Sequence, residues 1–529
     1  MSIADIAAVI LIGLVLLSLI GIVGMFAWFF FQNERQQEHA ILRNYPVFGK
    51  MRYIIEKMGP ELRQYLYNND NEGKPFSRRD YLNVVLAGKY NSRTMGFGSE
   101  RDFDKGGYYI NNSLFPKQAR ELRIRQEPLI DTKVYSIDKE KLFNRKEHRE
   151  DQKIKPFYLS EQDEIVIGEK STRMPFHVKG LVGQSAMSYG SIGDHAITAL
   201  SKGLGMAGGT WMNTGEGGLS DFHLEGNVDI ICQIGPGLFG VRDKAGNFSY
   251  EEFKKKSSIP QVKAFELKLA QGAKVRGGHL DGKKVTEEIA KIRNVEAWKT
   301  VDSPNRFEHL PNAESLLHFI EELREIGGKP VGMKIVVGNR GDLEDLFLKM
   351  KEKNSFPDFI TVDGGEGGTG ASFQELADST GLPIHQALPI VHETLLKYGI
   401  REHVKIFASG KLLTPDKIAV ALALGADLVN IARGMMMSVG CIMAQVCHTN
   451  NCPAGVATTD PKLQKALSIE EKKYRVCNYV VSLREGLFNL AAAAGLESPT
   501  QFEMKHVTLL GDEGKLKDKV PVSIHSSNI

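Results

Sequence analysis

The chain begins with a long apolar run that differs in kind from everything after it. No charged residue occurs between Ile6 and Gln32, and Leu, Ile, Val, Ala and Phe dominate the segment. At about 1.5 Å per residue, a helix of this length crosses the roughly 30 Å hydrocarbon core of a bilayer, with Trp28 near one interface. The pattern predicts a transmembrane helix over residues 1–32.

A cleaved signal peptide is the alternative, but the apolar run is too long for one and no basic segment precedes it. Asp5 is the one charged residue before the run, whereas several basic residues follow it closely: Arg35, Arg43, Lys50, Arg52 and Lys57. Basic flanks favour the cytoplasmic side. The sequence therefore predicts a single-pass protein of the cell membrane whose larger part faces the cytoplasm.

Residues 33–170 are polar and mixed, and we expect a mainly helical N-terminal extension there. The segment YIIEKMGPELRQYLY (53–67) is typical of helix, and GFGSERDFDKGG (96–107) is typical of loop. The many Arg and Lys residues are most simply a solvated face. We expect this extension to pack on, and to position, the part of the chain that follows it.

From about Val178 the pattern changes to short apolar runs that end in glycine or a polar residue. Eight of them occur: VKGLVGQSA (178–186), TWMNTGEGG (210–218), DIICQIG (229–235), AFELKLA (264–270), PVGMKIVV (330–337), DFITVDGG (358–365), KIFASG (405–410) and DLVNIARG (427–434). Helical patterns follow most of them. Eight strand–helix units favour an α/β fold, a (β/α)8 TIM barrel, over a doubly wound sheet.

The predicted barrel domain covers residues 171–500, and residues 501–529 form a C-terminal tail. Predicted helices lie at 191–207, 342–354, 384–399 and 414–426. The last of these opens with Thr414 as the expected N-cap and Pro415 at the first helical position. The long interval between the fourth and fifth strands predicts an inserted element around SPNRFEHLPN (303–312).

Polar or glycine residues follow every predicted strand, at the rim where (β/α)8 barrels carry their active sites. They are Ser185, Asn213 with Glu216, Gln233, Lys268 with Gln271, Lys334, Asp363, Gly410 and Arg433. Any one of them could instead fill the top layer of the barrel or cap a helix. That alternative is weak for the set as a whole.

The seventh and eighth strands end in ASGKL (408–412) and NIARG (430–434), each followed by a helix whose free N–H groups can receive a phosphate. Together with the redox chemistry indicated by the cysteines below, this predicts FMN across the barrel mouth. Glycines alone are weak evidence, because GGEGGTGAS (364–372) is also typical of a flexible loop. No G-x-G-x-x-G follows an early strand, so no nicotinamide-binding domain is predicted, and electrons must come from another protein.

Three of the five cysteines, Cys441, Cys447 and Cys452, lie in CIMAQVCHTNNCP (441–453). This spacing favours an iron–sulfur cluster over a disulfide framework, and we expect Cys232 and Cys477 to be ordinary buried thiols. A zinc site formed by the three cysteines and His448 is the alternative. The chain carries 67 basic and 64 acidic residues, a balance that gives no reason to expect nucleic acid.

Several motifs resemble the synthase domain of glutamate synthases. They are SAMSYGSIG (185–193), NTGEGG (213–218), ELKLAQGAK (266–274), TVDGGEGGTGAS (361–372) and CIMAQVCHTNNCPAGVAT (441–458), in the family's order over roughly residues 175–500. The resemblance implies a (β/α)8 barrel with FMN and a [3Fe-4S] cluster held by Cys441, Cys447 and Cys452. It also implies that the domain reduces 2-iminoglutarate to glutamate.

Such chemistry requires cations for the carboxylates of the acceptor and a proton relay to nitrogen. The resemblance assigns substrate binding to Gln271, Lys274 and Arg293, and places Glu216 near the reacting carbon. We predict Glu216 and Lys274 as catalytic residues. Further predicted flavin contacts are Ser185, Gln233, Lys334, Asp363, Gly364, Gly365, Gly410, Arg433 and Gly434, with Gln233 and Lys334 at the ring.

Two departures from the family bear on the reaction. The loop VRGGHLDG (275–282) is one residue shorter than the family's usual form and carries His279 where the large enzymes commonly have Gln, so His279 is a further predicted substrate contact. A membrane helix stands in place of the glutaminase domain, and no cysteine precedes Cys232. We therefore expect the nitrogen to come from free ammonia, an amine or a separate amidotransferase.

The sequence thus predicts a membrane-tethered glutamate synthase-like oxidoreductase with a separate electron donor, a ferredoxin or a reductase subunit. One alternative is an amine-transferring enzyme that makes or uses an N-substituted glutamate on the same scaffold. Another is a non-catalytic electron-transfer subunit that retains flavin and cluster.

Overall fold

The computed structural model describes residues 2–90, 96–141, 144–274 and 278–511, with the backbone alone over residues 137–147. The chain divides into two compact units, Met1–Tyr81 and Leu82–Ile529. The predicted domain boundaries stay predictions.

The first unit is helical and begins with helix Ile3–Arg35. Its N-terminus is closed by a capping box, in which Ser2 Oγ accepts from Asp5 N at 3.2 Å and Asp5 Oδ2 accepts from Ser2 N at 2.7 Å. An 18-residue window of this helix has a mean hydropathy of 3.1, and none of that window is buried. The predicted apolar helix is confirmed, and it is long and apolar enough to cross a membrane.

Shorter helices follow in this unit: Ala40–Asn44, Gly49–Leu62, the π-helix Arg63–Tyr67, and the beginning of Arg78–Gly88. The turn after the long helix folds back on its end, because Asn33 Nδ2 donates to Pro46 O at 2.5 Å. Lys50 Nζ lies 3.9 Å from the centre of the Phe29 ring. Helix Gly49–Leu62 therefore begins beside the aromatic end of the apolar helix.

The second unit contains the barrel, in which all eight predicted strands form and close in chain order. Their bounds are Val182–Gln184, Trp211–Asn213, Asp229–Ile234, Val262–Lys268, Val331–Ile335, Phe359–Asp363, Lys405–Ser409 and Leu428–Ile431. Every neighbouring pair is parallel, and the first strand closes the barrel by pairing Val182 with Val429 of the eighth. The predicted TIM barrel is confirmed.

Aromatic side chains fill the barrel interior. The Trp211 and Phe407 rings lie 5.2 Å apart, and the Phe359 and Phe407 rings lie 5.0 Å apart. A Cβ at Gly183 would come within 2.3 Å of the Trp211 ring, so glycine is required there for the ring to fit. The interior is a packed core that supports the rim above it.

Helices surround the barrel, and those predicted from the sequence are present. The helices after successive strands are Asp194–Ala207, Asp221–Leu224, Tyr250–Ser257, Ala313–Gly327, Arg340–Lys353, Ile384–Lys397, Pro415–Ala423 and Arg433–Ser438. Further helices are Glu287–Arg293, Gln374–Ser379, Pro461–Gln464 and Ile469–Ala493. Thr414 is the N-cap residue, as predicted, but its hydroxyl makes no capping hydrogen bond among the described residues.

The insertion predicted between the fourth and fifth strands is present. It contains a two-stranded ribbon, His279–Leu280 with Val301–Asp302, which encloses a 3-10 turn at Gly282–Lys284 and helix Glu287–Arg293. Residues 275–277 of the predicted short loop lie outside the described residues.

The N-terminal extension differs from the prediction, because its α-helices end at Gly88 and two 3-10 turns, Ala119–Glu121 and Glu161–Asp163, are its further helical segments among the described residues. Beyond that it forms antiparallel strand pairs, the longest being Ile130–Lys141 with Asn144–Ile154. The others are Ile124–Arg125 with Tyr158–Leu159, Ile165–Ile167 with Phe176–Val178, and Gly107–Ile110 with Val507–Leu510. The last pair also gives the predicted tail a strand that the sequence did not reveal.

Candidate active site

A buried ion pair lies at the carboxyl ends of the second and fourth barrel strands. Lys268 Nζ donates to Glu216 Oε1 at 2.6 Å, with 7% of the lysine side chain and 11% of the glutamate side chain exposed. Ser303 Oγ, from the insertion, lies 3.4 Å from Glu216 Oε2. Glu216 is thus fixed on both carboxylate oxygens.

Cations hold Glu216 ionised. Its burial acts to raise the pKa of the carboxyl, but the charges of Lys268, Lys274 and Arg293 together outweigh burial and lower the pKa. The structure therefore brings together three predicted site residues, Glu216, Lys274 and Arg293, with Lys268, which was predicted at the rim.

Lys274 stands on a tight turn with Gln271. The two residues bond each other's backbones at 3.2 and 3.0 Å, and Gln271 Nε2 donates to Gly368 O at 2.6 Å. Burial, reinforced by the charges of Lys268 and Arg293 against that of Glu216, lowers the pKa of Lys274 to about 8. Its ammonium is therefore close to titrating near neutral pH.

Arg293 ends the helix of the insertion and is 4% exposed. Its Nη2 donates to Tyr189 O at 2.9 Å, and its guanidinium lies 5.3 Å from the centre of the Phe239 ring. Burial lowers its pKa to about 10. Its Nε is buried without a hydrogen-bond partner among the described residues, so the guanidinium has a donor to spare.

The barrel mouth is lined by a second set of predicted residues. Lys334 Nζ lies 3.1 Å from Asp363 Oδ2, which also accepts from Gly272 N at 3.0 Å. Gln233 Nε2 donates to Glu266 Oε1 at 2.6 Å. Ser185 is buried at the exit of the first strand, where its N–H donates to Ile431 O at 3.0 Å. These residues lie at the carboxyl ends of four different strands.

The residues predicted near the flavin phosphate surround the carboxylate of Glu366. Glu366 accepts from Ile384 N with both carboxylate oxygens at 3.1 Å, and Arg433 Nη2 donates to Glu366 O at 2.5 Å. Burial raises the pKa of Glu366. A Cβ at Gly364 would lie 2.3 Å from Glu366 Oε2, and one at Gly410 would lie 3.2 Å from Oε1.

Two of the glycines predicted to contact the flavin, Gly365 and Gly434, pack closely against other parts of the chain. A Cβ at Gly365 would lie 2.4 Å from Gly381 O, and one at Gly434 would lie 2.5 Å from Tyr479 Oη. Close approach of the chain accounts for glycine at both positions.

A cleft of about 440 Å³ opens beside Lys274. His279 lies on its wall, 45% exposed, with its Nδ1 2.7 Å from Asp302 Oδ1. The remaining wall is formed by the loop after the sixth strand, by Lys284 and by the cysteine loop, including Ser372, Phe373, Cys447 and His448. The cleft therefore connects the charged group to the cysteine loop.

The three clustered cysteines line one small cavity of their own. Cys441 Sγ accepts from Met443 N at 3.4 Å, and burial raises the pKa of the Cys441 thiol to about 11. Three non-glycine residues of the loop, Met443, Gln445 and Asn450, have φ of 60°, 56° and 65°, a conformation such residues seldom adopt. The loop is shaped around the thiol cavity at a cost in backbone strain.

A single-ion zinc site finds no support in this loop. Among the described residues, no three His, Cys, Asp or Glu side chains lie close enough to hold one metal ion. Cys447 and His448 both line the active-site cleft, and Cys447 also lines the small cavity with Cys441 and Cys452. Cys232 and Cys477 are free and buried.

Comparison with known proteins bears on this site. A model of the conserved region in glutamate synthase matches residues 118–497. The glutamate synthase large subunit-like protein YerD of Bacillus subtilis is 66% identical over 492 residues, 93% of this chain and 94% of that protein. The chain belongs to the glutamate synthase family.

Other members of the glutamate synthase family match a shorter part. The archaeal glutamate synthase (NADPH) of Methanocaldococcus jannaschii is 34% identical over 315 residues, 59% of this chain and 58% of that protein. The glutamate synthase (NADPH) large chain of Bacillus subtilis is 29% identical over 320 residues, 59% of this chain and 20% of that protein. The resemblance seen in the motifs is confirmed, and the chain is a glutamate synthase-like oxidoreductase.

Two buried charges of this glutamate synthase-like site were not predicted as site residues. Glu266, inside the barrel, accepts from Asn213 Nδ2 at 2.8 Å as well as from Gln233 and from the hydroxyl of Thr361. Lys284 donates to three backbone carbonyls next to the cysteine loop. Glu266 lies within an apolar strand pattern, which indicated a position in the core. Lys284 lies within DGKK, which indicated a solvent-exposed position.

Proposed function

We propose that this chain is a glutamate synthase that reduces 2-iminoglutarate, formed from 2-oxoglutarate and ammonia, to glutamate. The observation that carries the proposal is the buried group formed by Glu216, Lys268, Lys274 and Arg293. Lys268 already neutralises Glu216 at 2.6 Å. Lys274 and Arg293 remain for the two carboxylates of the acceptor, because buried cations require anionic partners.

The two cations suit different parts of this task. The spare donor of Arg293 and its planar guanidinium favour a carboxylate held by two hydrogen bonds. Lys274, with its pKa of about 8, can both attract a carboxylate and donate a proton from Nζ near neutral pH. Glu216 stays ionised and can accept hydrogen bonds from the nitrogen of ammonia or of the imine.

The barrel mouth suits FMN. Gln233 and Lys334 are buried at the exits of their strands and offer an amide and an ammonium to a flavin ring, with Asp363 holding Lys334. Gly410 and Arg433, at the ends of the seventh and eighth strands, both lie beside Glu366, and the Arg433 guanidinium would supply a positive charge for the flavin phosphate. FMN, when bound, supplies the hydride for the imine carbon.

The cysteine loop suits an iron–sulfur cluster, which we take to be [3Fe-4S]. In a cluster each thiolate binds a different iron atom, so the thiols need to share one cavity without converging on one ion. Cys441, Cys447 and Cys452 do share a cavity, and the N–H of Met443 donates to one sulfur as ligand thiolates require. Cys447 also lines the active-site cleft, so electrons entering here arrive next to the substrate.

The proposal extends to the surroundings of the enzyme. Helix Ile3–Arg35 anchors the chain in the cell membrane, with the barrel on the cytoplasmic side. Electrons come from a ferredoxin or a reductase subunit. The nitrogen is free ammonia, an amine or the product of a separate amidotransferase.

Anaerobic turnover tests this function. The purified protein is reduced with dithionite and mixed with 2-oxoglutarate and ammonium, and flavin reoxidation and glutamate are followed. We expect glutamate formation that falls by at least about a hundredfold in Glu216→Gln and Lys274→Met, because both changes remove groups at the reacting atoms. Lys291→Met, an exposed lysine on the same helix as Arg293, is the matched control.

Absence of glutamate from the wild-type protein would refute the reaction. Equal glutamate turnover in Glu216→Gln and wild type would remove Glu216 from its catalytic role. Reduction of flavin and cluster without glutamate formation, the same in wild type and Glu216→Gln, would favour the alternative of a non-catalytic electron-transfer subunit.

The cleft continues past Lys274 to Phe373 and His448, and this extension favours a second class of nitrogen donor. An amine larger than ammonia, giving an N-substituted glutamate, fits this extension. Replacing ammonium with a series of primary amines in the same assay tests it, and faster reoxidation with an amine than with ammonium would favour it.

A further inference from the structure

Lys284 is a buried lysine between the active-site cleft and the cysteine cavity. It ends the 3-10 turn Gly282–Lys284 of the insertion and is 2% exposed. Its Nζ donates to Ser191 O at 2.9 Å, Cys447 O at 3.1 Å and Ala457 O at 3.2 Å. All three ammonium donors are used, and all three acceptors are backbone carbonyls.

These carbonyls belong to separate segments. Ser191 lies after the first barrel strand, Cys447 lies within the cysteine loop, and Ala457 lies just after it. One side chain therefore ties the cysteine loop at two points to the barrel and to the insertion.

The charge of Lys284 has no carboxylate within ion-pair distance among the described residues. Burial lowers the pKa of Lys284 to about 8, while the charges of Cys447, Cys452 and Asp281 act in the opposite direction. A buried cation is costly unless an anion compensates it. Thiolates that hold an iron–sulfur cluster would supply that compensation.

We propose that Lys284 positions the cysteine loop and that its charge raises the reduction potential of the cluster. The inference rests on the proposed cluster and goes beyond the proposed reaction. Reduction adds one negative charge to the cluster, and a fixed cation nearby stabilises the reduced form more than the oxidised form. Lys284 is thus a positioning residue that favours the cluster as the electron acceptor.

Redox titration of the full-length protein measures this effect. The variants are Lys284→Met, Lys284→Gln and Lys284→Arg, with exposed Lys283→Met as the neighbouring control. Iron and sulfide content and the electron paramagnetic resonance signal report the cluster, and the flavin potential serves as an internal reference. In Lys284→Met and Lys284→Gln we expect the ratio of reduced cluster to reduced flavin to fall by about tenfold, because a nearby positive charge is lost.

Lys284→Arg retains the charge, so its cluster potential should stay close to the wild-type value, and Lys283→Met should match wild type. Another outcome is that the neutral variants lose the cluster but keep the flavin. In that case, a Lys284→Arg protein that retains the cluster supports the positioning role, and a Lys284→Arg protein that also loses the cluster overturns that role. An unchanged cluster potential in Lys284→Met also overturns the inference. A wild-type protein without iron and sulfide would instead refute the proposed cluster itself.

Discussion

At the scale of single residues, Lys274 makes the site sensitive to pH. Its pKa of about 8 lies well below that of an exposed lysine, so its positive charge is complete below pH 8 and is lost as the pH rises through that value. We expect the KM for 2-oxoglutarate to increase above about pH 8, because a carboxylate partner is then missing. Steady-state kinetics from neutral to alkaline pH measure this increase.

The variant Lys274→Arg tests whether Lys274 is the group that titrates, because a guanidinium stays charged throughout that pH range. Its KM should no longer depend on pH in this way, even if its turnover is lower. The same alkaline increase in both proteins would mean that another group titrates.

Sequence reasoning identified the residues that stand at strand exits, because polar side chains there interrupt an apolar pattern. Glu216 and Lys268 were found in this way, whereas Lys274 and Arg293 were assigned by the family resemblance. The buried partners of the rim residues were harder to find. Glu266, the partner of Gln233, lies between Phe265 and Leu267 in the fourth strand, and Ser303, which contacts Glu216, lies 87 positions further along the chain. Such partnerships depend on packing in three dimensions, which no local pattern encodes.

At the scale of elements, helix Ile469–Ala493 carries a buried arginine that joins three segments. Arg484 donates to Pro156 O at 3.3 Å, Ala207 O at 3.0 Å and Gly208 O at 2.5 Å. Ala207 and Gly208 form the C-terminal end of helix Asp194–Ala207, whose carbonyls need donors. Arg484 therefore satisfies this helix end from the neighbouring helix.

We expect Arg484→Met to lower the free energy of unfolding by about 3 kcal/mol, because buried carbonyls lose charged donors. Thermal unfolding followed by circular dichroism measures the change as a lower melting temperature. Arg340→Met, at an exposed helix terminus, is the control and should change the melting temperature little. Equal melting temperatures for Arg484→Met and wild type would contradict this role.

The elements of the barrel were predictable because each strand is a short apolar run followed by a polar or glycine exit. The long antiparallel pair Ile130–Lys141 and Asn144–Ile154 was not predictable on the same basis. Over residues 138–153 the sequence, DKEKLFNRKEHREDQK, carries charges at adjacent positions and lacks the alternation that marks a half-buried strand. At the other end of the pair, Ile130, Thr132, Tyr135 and Ile154 are buried.

At the scale of the whole molecule, the apolar helix and the barrel differ in how their apolar surfaces are covered. Strands and helices of the barrel bury their own apolar faces, whereas helix Ile3–Arg35 leaves a window of mean hydropathy 3.1 without protein cover. Lys50 lies over the ring of Phe29 at 3.9 Å, so basic residues begin where the aromatic end of the helix stops. Aromatic and basic residues are typical of the cytoplasmic interface of a bilayer.

The predicted membrane anchor and its orientation can be tested by protease accessibility in vesicles and by the intact mass of the protein. In membrane vesicles, we expect an added protease to digest the barrel when the cytoplasmic face is outward and to spare it when that face is inward, because basic residues follow the helix. Deletion of residues 3–35 should move the protein to the soluble fraction with its flavin absorbance unchanged. Intact mass measurement of the membrane-bound protein should include the apolar segment. A mature protein that lacks this segment would establish the signal-peptide alternative, and digestion of the barrel from the opposite face would reverse the orientation.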